Sequence, residues 1–208
     1  MSALPIVGER GAGSGSLPGN AEMRIAREGT APRSPLPQAR TAPYSLLPGV
    51  ALRTAVLADV PRLEALMSPF IAAGDLLPRS NYDVCRHIKE YVVAEAAGVR
   101  GGGGGGGEIV ACGSLKIYSQ QLAEVAGLAV RPEWQGAGFG RAVVEALILE
   151  ARAHGLTEVL ALTRKPAFFF KLGFAPAQRE HFPLKVWADC NRCPRNDCCD
   201  EVAVTLKL

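Results

Sequence analysis

The apolar positions of this chain switch between two periods, and the switches mark its elements. Ala51-Leu52-Arg53 reads as a short strand where patterning begins, near Val50. Val60, Leu63, Leu66, Met67, Phe70 and Ile71 then recur at helical spacing. Asp59 before Pro61 supplies an N-cap acceptor and a first-turn proline for that helix. Gly74 and Pro78 end it. Asp75–Ser80 is a loop, and Ser80 can cap a second helix across 81–89. Tyr91–Ala94, Ile109–Leu115 and Leu122–Val130 read as three strands. Val143, Val144, Leu147, Ile148 and Ala151 predict a helix over 138–153, with Gly155 placed as its C-cap and His154 serving the helix dipole. Val159–Leu162 is a buried strand. Phe168–Leu172 is a short helix closed by Gly173-Phe174, and Glu201–Leu206 alternates as a last strand. Strands arrive in runs with helices between them, so the fold class is α/β in the mixed, α+β sense.

Two stretches lack either period. Residues 1–48 are rich in Gly, Pro, Ala, Ser and Arg, with five arginines against three glutamates. They suit a disordered tail or an organelle transit peptide, though the acidic residues count against the latter; a start at Met23 is a third reading. Residues 49–208 then form the folded domain. Inside it, the seven glycines 101–107 fall between two strands and read as a flexible insertion in a hairpin turn.

Composition narrows the class. The 208 residues allow one domain plus extensions. A formal charge of +3, without aromatics interleaved among basic runs, argues against a nucleic-acid partner. No run approaches a membrane span, and no apolar block follows a basic start as in a secretory signal. Four of the six cysteines crowd into 190–199, unlike the spread of a disulfide framework. The expectation is a soluble, intracellular protein in a reducing compartment, either cytoplasm or plastid stroma.

Candidate chemistry concentrates in residues 122–141. The apolar strand Leu128-Ala129-Val130 is broken by Arg131-Pro132-Glu133-Trp134. Gln135-Gly136-Ala137-Gly138-Phe139-Gly140-Arg141 then runs into a helix. Glycines let backbone N–H groups converge on an anion, and the helix N-terminus adds partial positive charge. No Lys-Ser or Lys-Thr follows, which excludes the phosphate loop of nucleotide triphosphatases. Arg141 stands where the dinucleotide fingerprint needs a third glycine. A tight strand–helix turn without ligand is the bland alternative, though a plain turn rarely needs three glycines in five residues.

The spacing Gln135-x-x-Gly138-x-Gly140 between strand and helix resembles the pyrophosphate loop of the GCN5-related N-acetyltransferases. Further stretches resemble the single-domain N-acetylglutamate synthases of that superfamily: Asp75–Ser80, Ile109–Leu115, Ala161-Leu162-Thr163 with Phe168-Phe169 and Leu172-Gly173-Phe174, and a tail from Lys185 through Asp189, Cys190 and Cys193 to Cys199-Asp200-Glu201. The resemblance covers residues 50–208. It implies a central mixed, twisted sheet flanked by helices, acetyl-CoA as co-substrate and L-glutamate as acceptor, in the first step of arginine biosynthesis. A homodimer is compatible with it.

The resemblance also distributes roles. Backbone groups of Leu128, Ala129 and Val130 would run along the pantetheine. Arg131, Gln135, Gly136, Ala137, Gly138, Phe139, Gly140 and Arg141 would surround the pyrophosphate. Glu124 matches a position often acidic in the superfamily and is the candidate base; its plain alternative is an ion-pair partner on a strand. Arg79 is the candidate reader of a substrate carboxylate, with Lys116 and Arg164 behind it. Phe169 stands where a tyrosine usually protonates the leaving thiolate, so that role falls to water or to Tyr118. Position 164 usually carries tyrosine, so Arg164 and Lys165 bear on specificity. Cys190, Cys193 and Cys199 are candidate ligands of a structural zinc, with Cys198, His181 or His87 as a fourth; reduced thiols in a packed tail are the alternative. Two rival functions follow: the same fold acting on another amino acid or small amine, and a catalytically silent coenzyme A-binding module.

Overall fold

A computed structural model describes residues 50–100, 107–193 and 195–208. The tail, residues 1–48, and residues 101–106 of the glycine run lie outside these residues. Seven strands form one sheet: β1 (Val50–Thr54), β2 (Tyr91–Arg100), β3 (Gly107–Ile117), β4 (Leu122–Val130), β5 (Glu158–Thr163), β6 (Ala175–Ala177) and β7 (Val202–Lys207). Their order across the sheet is β1-β2-β3-β4-β5-β7-β6. Every neighbouring pair is antiparallel except β4 and β5, which run parallel.

The alternation of each strand assigns its two faces. Val92 and Ala94 join Ala123, Val125, Val159 and Val204 under helix α3 (Phe139–Ala153), in a core with Val143, Val144 and Leu147. Tyr91, Val93 and Cys112 point the other way, against Leu63, Leu66 and Met67 of α1 (Val60–Ala72) and Val84 of α2 (Asn81–Arg86). Beyond β4 that second face is covered by the C-terminal tail, the segment between β6 and β7, where Phe182 packs on Leu160 and Ala203. Helix α3 lies close on the sheet because Gly113 has no side chain: a Cβ there would sit 2.9 Å from Val143 and 3.2 Å from Leu147.

The expected helix caps form in one case and not in the other. Ser80 Oγ accepts from the Asp83 N–H at 3.1 Å and Asp83 reaches back to Ser80, a full capping box for α2. Asp59 makes no such bond to α1. It is buried, and it accepts instead from the Val56 N–H at 2.9 Å and from Arg53 at 2.6 and 2.8 Å. A buried charge selects a paired cation over a cap.

Two elements carry no readable period. Strand β6 is Ala-Pro-Ala, too short to alternate visibly, and helix α5 (Pro183–Ala188) spans under two turns. Helix α4 covers Pro166–Phe170, beginning earlier than the aromatic run because Pro166 opens its first turn.

Candidate active site

The parallel pair at the centre of the sheet is incomplete, and the site lies in the gap. Register runs from Leu122↔Glu158 to Glu124↔Leu160 and stops, while β4 continues to Val130 and β5 to Thr163. Past Glu124 the two strands part. On its other edge β4 stays paired with β3, and the Arg131 N–H donates to the Val110 carbonyl at 2.9 Å. Peptide groups alternate along a strand, so the Val130 N–H group faces the gap. Leu128 and Val130 line the resulting cleft of about 540 Å³.

A bulge prepares this edge. Cys112↔Ala129 is followed by Ser114↔Ala126, so Gly127 and Leu128 together oppose Gly113. Gly127 adopts φ +61°, a left-handed conformation that glycine takes without strain.

The glycine loop closes one end of the cleft. Gly136 and Gly138 have φ of 80° and 91°. Gly138 is the N-cap of α3 and provides no capping side chain, so the first N–H groups of the helix stay available. Gln135 folds back to donate to the Val130 carbonyl at 3.0 Å and braces the loop. Gly136, Gly138, Gly140 and Arg141 line the cleft. Such a loop at the head of a fifteen-residue helix can cradle an anion with backbone N–H groups.

Not every loop residue turns to the cleft. Ala137 is exposed and outside its lining. The Phe139 ring is core, edge-on to Trp134 at 5.2 Å, and Ala129 is buried on the α1 side. Arg131 is held by Glu108 at 3.0 Å and by the Ile109 carbonyl at 3.2 Å, also outside the lining. Arg141 is exposed and pairs with Glu145 at 2.7 Å.

Glu124 sits where the strands part, 4% exposed and on the cleft wall. Tyr118 Oη donates to its Oε2 at 2.6 Å, and Lys185 Nζ to the same oxygen at 2.8 Å. Asp189 accepts from Lys116 at 2.6 Å, from Lys185 at 3.0 Å and from Tyr118. Burial acts against the Lys185 ammonium, but Glu124 and Asp189 outweigh it and its pKa rises. Burial would lift the Asp189 carboxyl, yet Lys116, Tyr118 and Lys185 hold it well below the usual range. The Tyr118 phenol is driven far above its ordinary value by burial and by both carboxylates. Tyr118 therefore stays neutral, and it lies outside the cleft lining.

Arg79, between α1 and α2, lines the cleft, and its charge reaches the Tyr91 phenol. Among the described residues that buried hydroxyl has no partner at full hydrogen-bonding geometry, and burial raises its pKa while nearby Arg79 opposes the rise. Burial pushes the Cys112 thiol nearby up to about 12. Lys116 stands off the cleft, paired with Asp189. Arg164 lines it, but its guanidinium bonds the Gly74 carbonyl at 2.6 Å, Asp200 at 2.8 Å and Asp75 at 3.2 Å. Phe169 is packed edge-on between Phe168 and Phe174.

The zinc expectation does not fit. Among the described residues no group of three or more His, Cys, Asp or Glu is placed to hold a metal ion. Cys190 is buried, Cys193 and Cys199 line the cleft, and all are free thiols. Cys193 Sγ instead accepts the Arg195 N–H at 3.4 Å, and Cys199 turns toward Glu201. These thiols pack the tail.

Sequence reasoning gives Lys185, Asp189 and Glu201 no chemical role. Lys185 and Asp189 stand four apart, a spacing that puts both on one helix face. Glu201 lines the cleft, and burial at the wall raises its carboxyl pKa, with Lys185 and Arg164 opposing.

Comparison with known proteins gives the family and the fold. Residues 75–174 match the acetyltransferase (GNAT) family. An uncharacterised N-acetyltransferase of Chlorobaculum tepidum is 32% identical over 157 residues, spanning 76% of this chain and 96% of that protein. The chain belongs to the GNAT acetyltransferases. It is an acyltransferase, and its mixed seven-stranded sheet with flanking helices is the fold of that family. An amino-acid acetyltransferase of Pseudomonas fluorescens is 34% identical over 134 residues, 64% of this chain but 29% of that longer protein. Among solved structures, N-acetylglutamate synthase from Neisseria gonorrhoeae, complexed with coenzyme A and N-acetyl-glutamate, superposes with a TM-score of 0.64. Identity is 26%, over 76% of this chain and 35% of that one. Among the described residues no helix is long and apolar enough to cross a membrane.

Proposed function

We propose that this chain transfers the acetyl group of acetyl-CoA to the α-amino group of L-glutamate, the step that opens arginine biosynthesis. The observation that carries the reading is Glu124 at the point where β4 and β5 part, in one cleft with the glycine loop and Arg79. The loop N–H groups hold the pyrophosphate, with Arg141 free to exchange Glu145 for a phosphate oxygen. The Leu128 and Val130 backbone pairs with the pantetheine amides as a neighbouring strand would. Arg79 takes a glutamate carboxylate in a bidentate contact. Names borne by relatives, amino-acid acetyltransferase and N-acetylglutamate synthase, support the acceptor class.

Direct attack needs a neutral amine. Glu124 takes one proton from the ammonium, the neutral nitrogen bonds the acetyl carbon, and the carbon–sulfur bond breaks as the nitrogen sheds its second proton to water. Phe169 has no proton to give and Tyr118 is committed to two carboxylates, so the departing thiolate draws its proton from water. A second acceptor, another amino acid, is favoured by one feature: Arg164, where the resemblance gives tyrosine, is occupied by Asp75, Asp200 and Gly74.

Calorimetric titration of L-glutamate into the protein saturated with coenzyme A tests the assignment. Binding in the wild type and its loss in Arg79→Ala, with coenzyme A affinity retained, are expected. Equal loss of both ligands in Arg79→Ala would contradict the carboxylate role.

A further inference from the structure

The base sits in a network larger than a base alone needs. Lys116 and Glu124 are cross-strand partners, so their side chains share the face of the sheet that the tail covers. Tyr118, two residues on, falls on the same face. Helix α5 adds Lys185, and its end adds Asp189. Cys190 and Glu201 also lie within reach of the Glu124 charge.

Within this network the two oxygens of Glu124 differ. Oε2 takes both bonds, from Tyr118 and Lys185. Oε1 accepts none from the described residues, and Glu124 lines the cleft. One oxygen is thus anchored and the other presented. The Tyr118 hydroxyl touches Asp189 Oδ2 as well as Glu124 Oε2, but it has one proton and donates to one carboxylate at a time.

We propose that Tyr118 is a two-position hydroxyl that serves both protonation states of Glu124, and that Lys185 and Asp189 of the tail are the positioning residues that set the base's strength. This rests on the reading of Glu124 as the base. While Glu124 is ionised, Tyr118 donates to it and Lys185 steadies it. When Oε1 takes the amine proton, Glu124 becomes the weaker acceptor and the hydroxyl turns to Asp189, which stays ionised throughout. Tyr118 gains and loses no proton. The proton on Glu124 returns to solvent after the product leaves. Lys185 favours the ionised base, and the Asp189 charge favours the protonated one. The tail therefore tunes the base from both sides.

The test is the pH dependence of kcat/KM in the full chain, with acetyl-CoA and whichever amino acid the wild type acetylates fastest. Glu124→Gln is expected to lose at least about 100-fold in rate. Lys185→Met should move the acid limb up by about one pH unit and Asp189→Asn should move it down by about one, because one removes a cation and the other an anion beside the base. Lys185→Arg should restore the wild-type limb, and Tyr118→Phe should lower the plateau about tenfold. A merely structural tail would weaken Lys185→Met and Asp189→Asn alike, without opposite displacements. Limbs moving in the same direction, or staying fixed while Glu124→Gln is inactive, would overturn the positioning role. A Glu124→Gln enzyme with wild-type activity would overturn the base assignment as well. Coenzyme A affinity within about threefold of wild type, by calorimetry, verifies that each variant keeps its cleft. Should Lys185→Met lose that affinity, Lys185→Arg decides: a shifted limb there contradicts the proposal, and an unshifted one supports it.

Discussion

Arg164 and Gly74 meet across ninety residues of chain, guanidinium to carbonyl at 2.6 Å. Arg195 donates to the same carbonyl at 3.0 Å, and Asp200 holds Arg164 at 2.8 Å. The loop that carries Arg79 is thereby tied to the end of β5 and to the tail. Arg164→Ala should leave the KM for acetyl-CoA within about twofold and raise that for the acceptor about tenfold, the worth of one charge-assisted hydrogen bond. Steady-state kinetics with each substrate varied in turn makes the check. An equal rise for both would mean that Arg164 contacts the cofactor.

Gly138 heads α3 with φ of 91° and leaves the first N–H groups of the helix uncovered. A side chain there strains the backbone by about 1–3 kcal/mol and disturbs the cradle. Gly138→Ala should weaken coenzyme A binding about tenfold or more. Gly155 has φ of 75°, with no atom near its missing Cβ, and lies away from the cleft. Gly155→Ala should lower the thermal midpoint without changing that affinity. Calorimetry and thermal melts on the pair separate ligand cradle from helix cap.

Asp59 is buried between Arg53, at 2.6 Å, and Arg62, at 3.3 Å. Burial alone would raise its carboxyl pKa, and the bonds from Arg53 and the Val56 N–H overcome that and lower it. A depressed folded value means that the carboxylate stabilises the protein above the unfolded value, near pH 4, and that this is lost as pH falls through the folded one. Asp59→Ala leaves Arg53 to Glu95, at 2.7 Å, and the Val56 N–H without its acceptor, and should cost about 1–3 kcal/mol in urea unfolding at pH 7. The gap between wild type and variant should narrow below pH 4. A gap that widens with acid would contradict the pairing.

The elements that sequence reading finds are those with a sustained period. Strand Leu122–Val130 has the bounds expected of it, and α3 begins one residue later than expected. The glycine loop is legible because its chemistry is backbone chemistry, written directly in glycine positions. What the sequence hides depends on direction. The parting of β4 from β5 is a register fact that the residues of either strand do not reveal. Arg131 has the right charge beside the loop, yet Glu108 on β3 takes it, and only strand pairing brings those two together. Glu124 stands out as a carboxylate, but Lys185 and Asp189 reach it from sixty residues away, through a helix too short to show a period. Three cysteines at metal-like spacing are equally blind to geometry, since spacing does not tell which way the thiols turn.

The central claim concerns the acceptor, and a competition experiment addresses it most directly. The full chain is incubated with acetyl-CoA and an equimolar mixture of the twenty amino acids, and the products are separated and weighed by mass spectrometry. In a mixture, product ratios report ratios of kcat/KM. The account predicts N-acetylglutamate as the dominant product, formed at least about 100-fold more slowly with Glu124→Gln. A different acetylated amino acid in excess, or no acetylated amino acid at all, would contradict it.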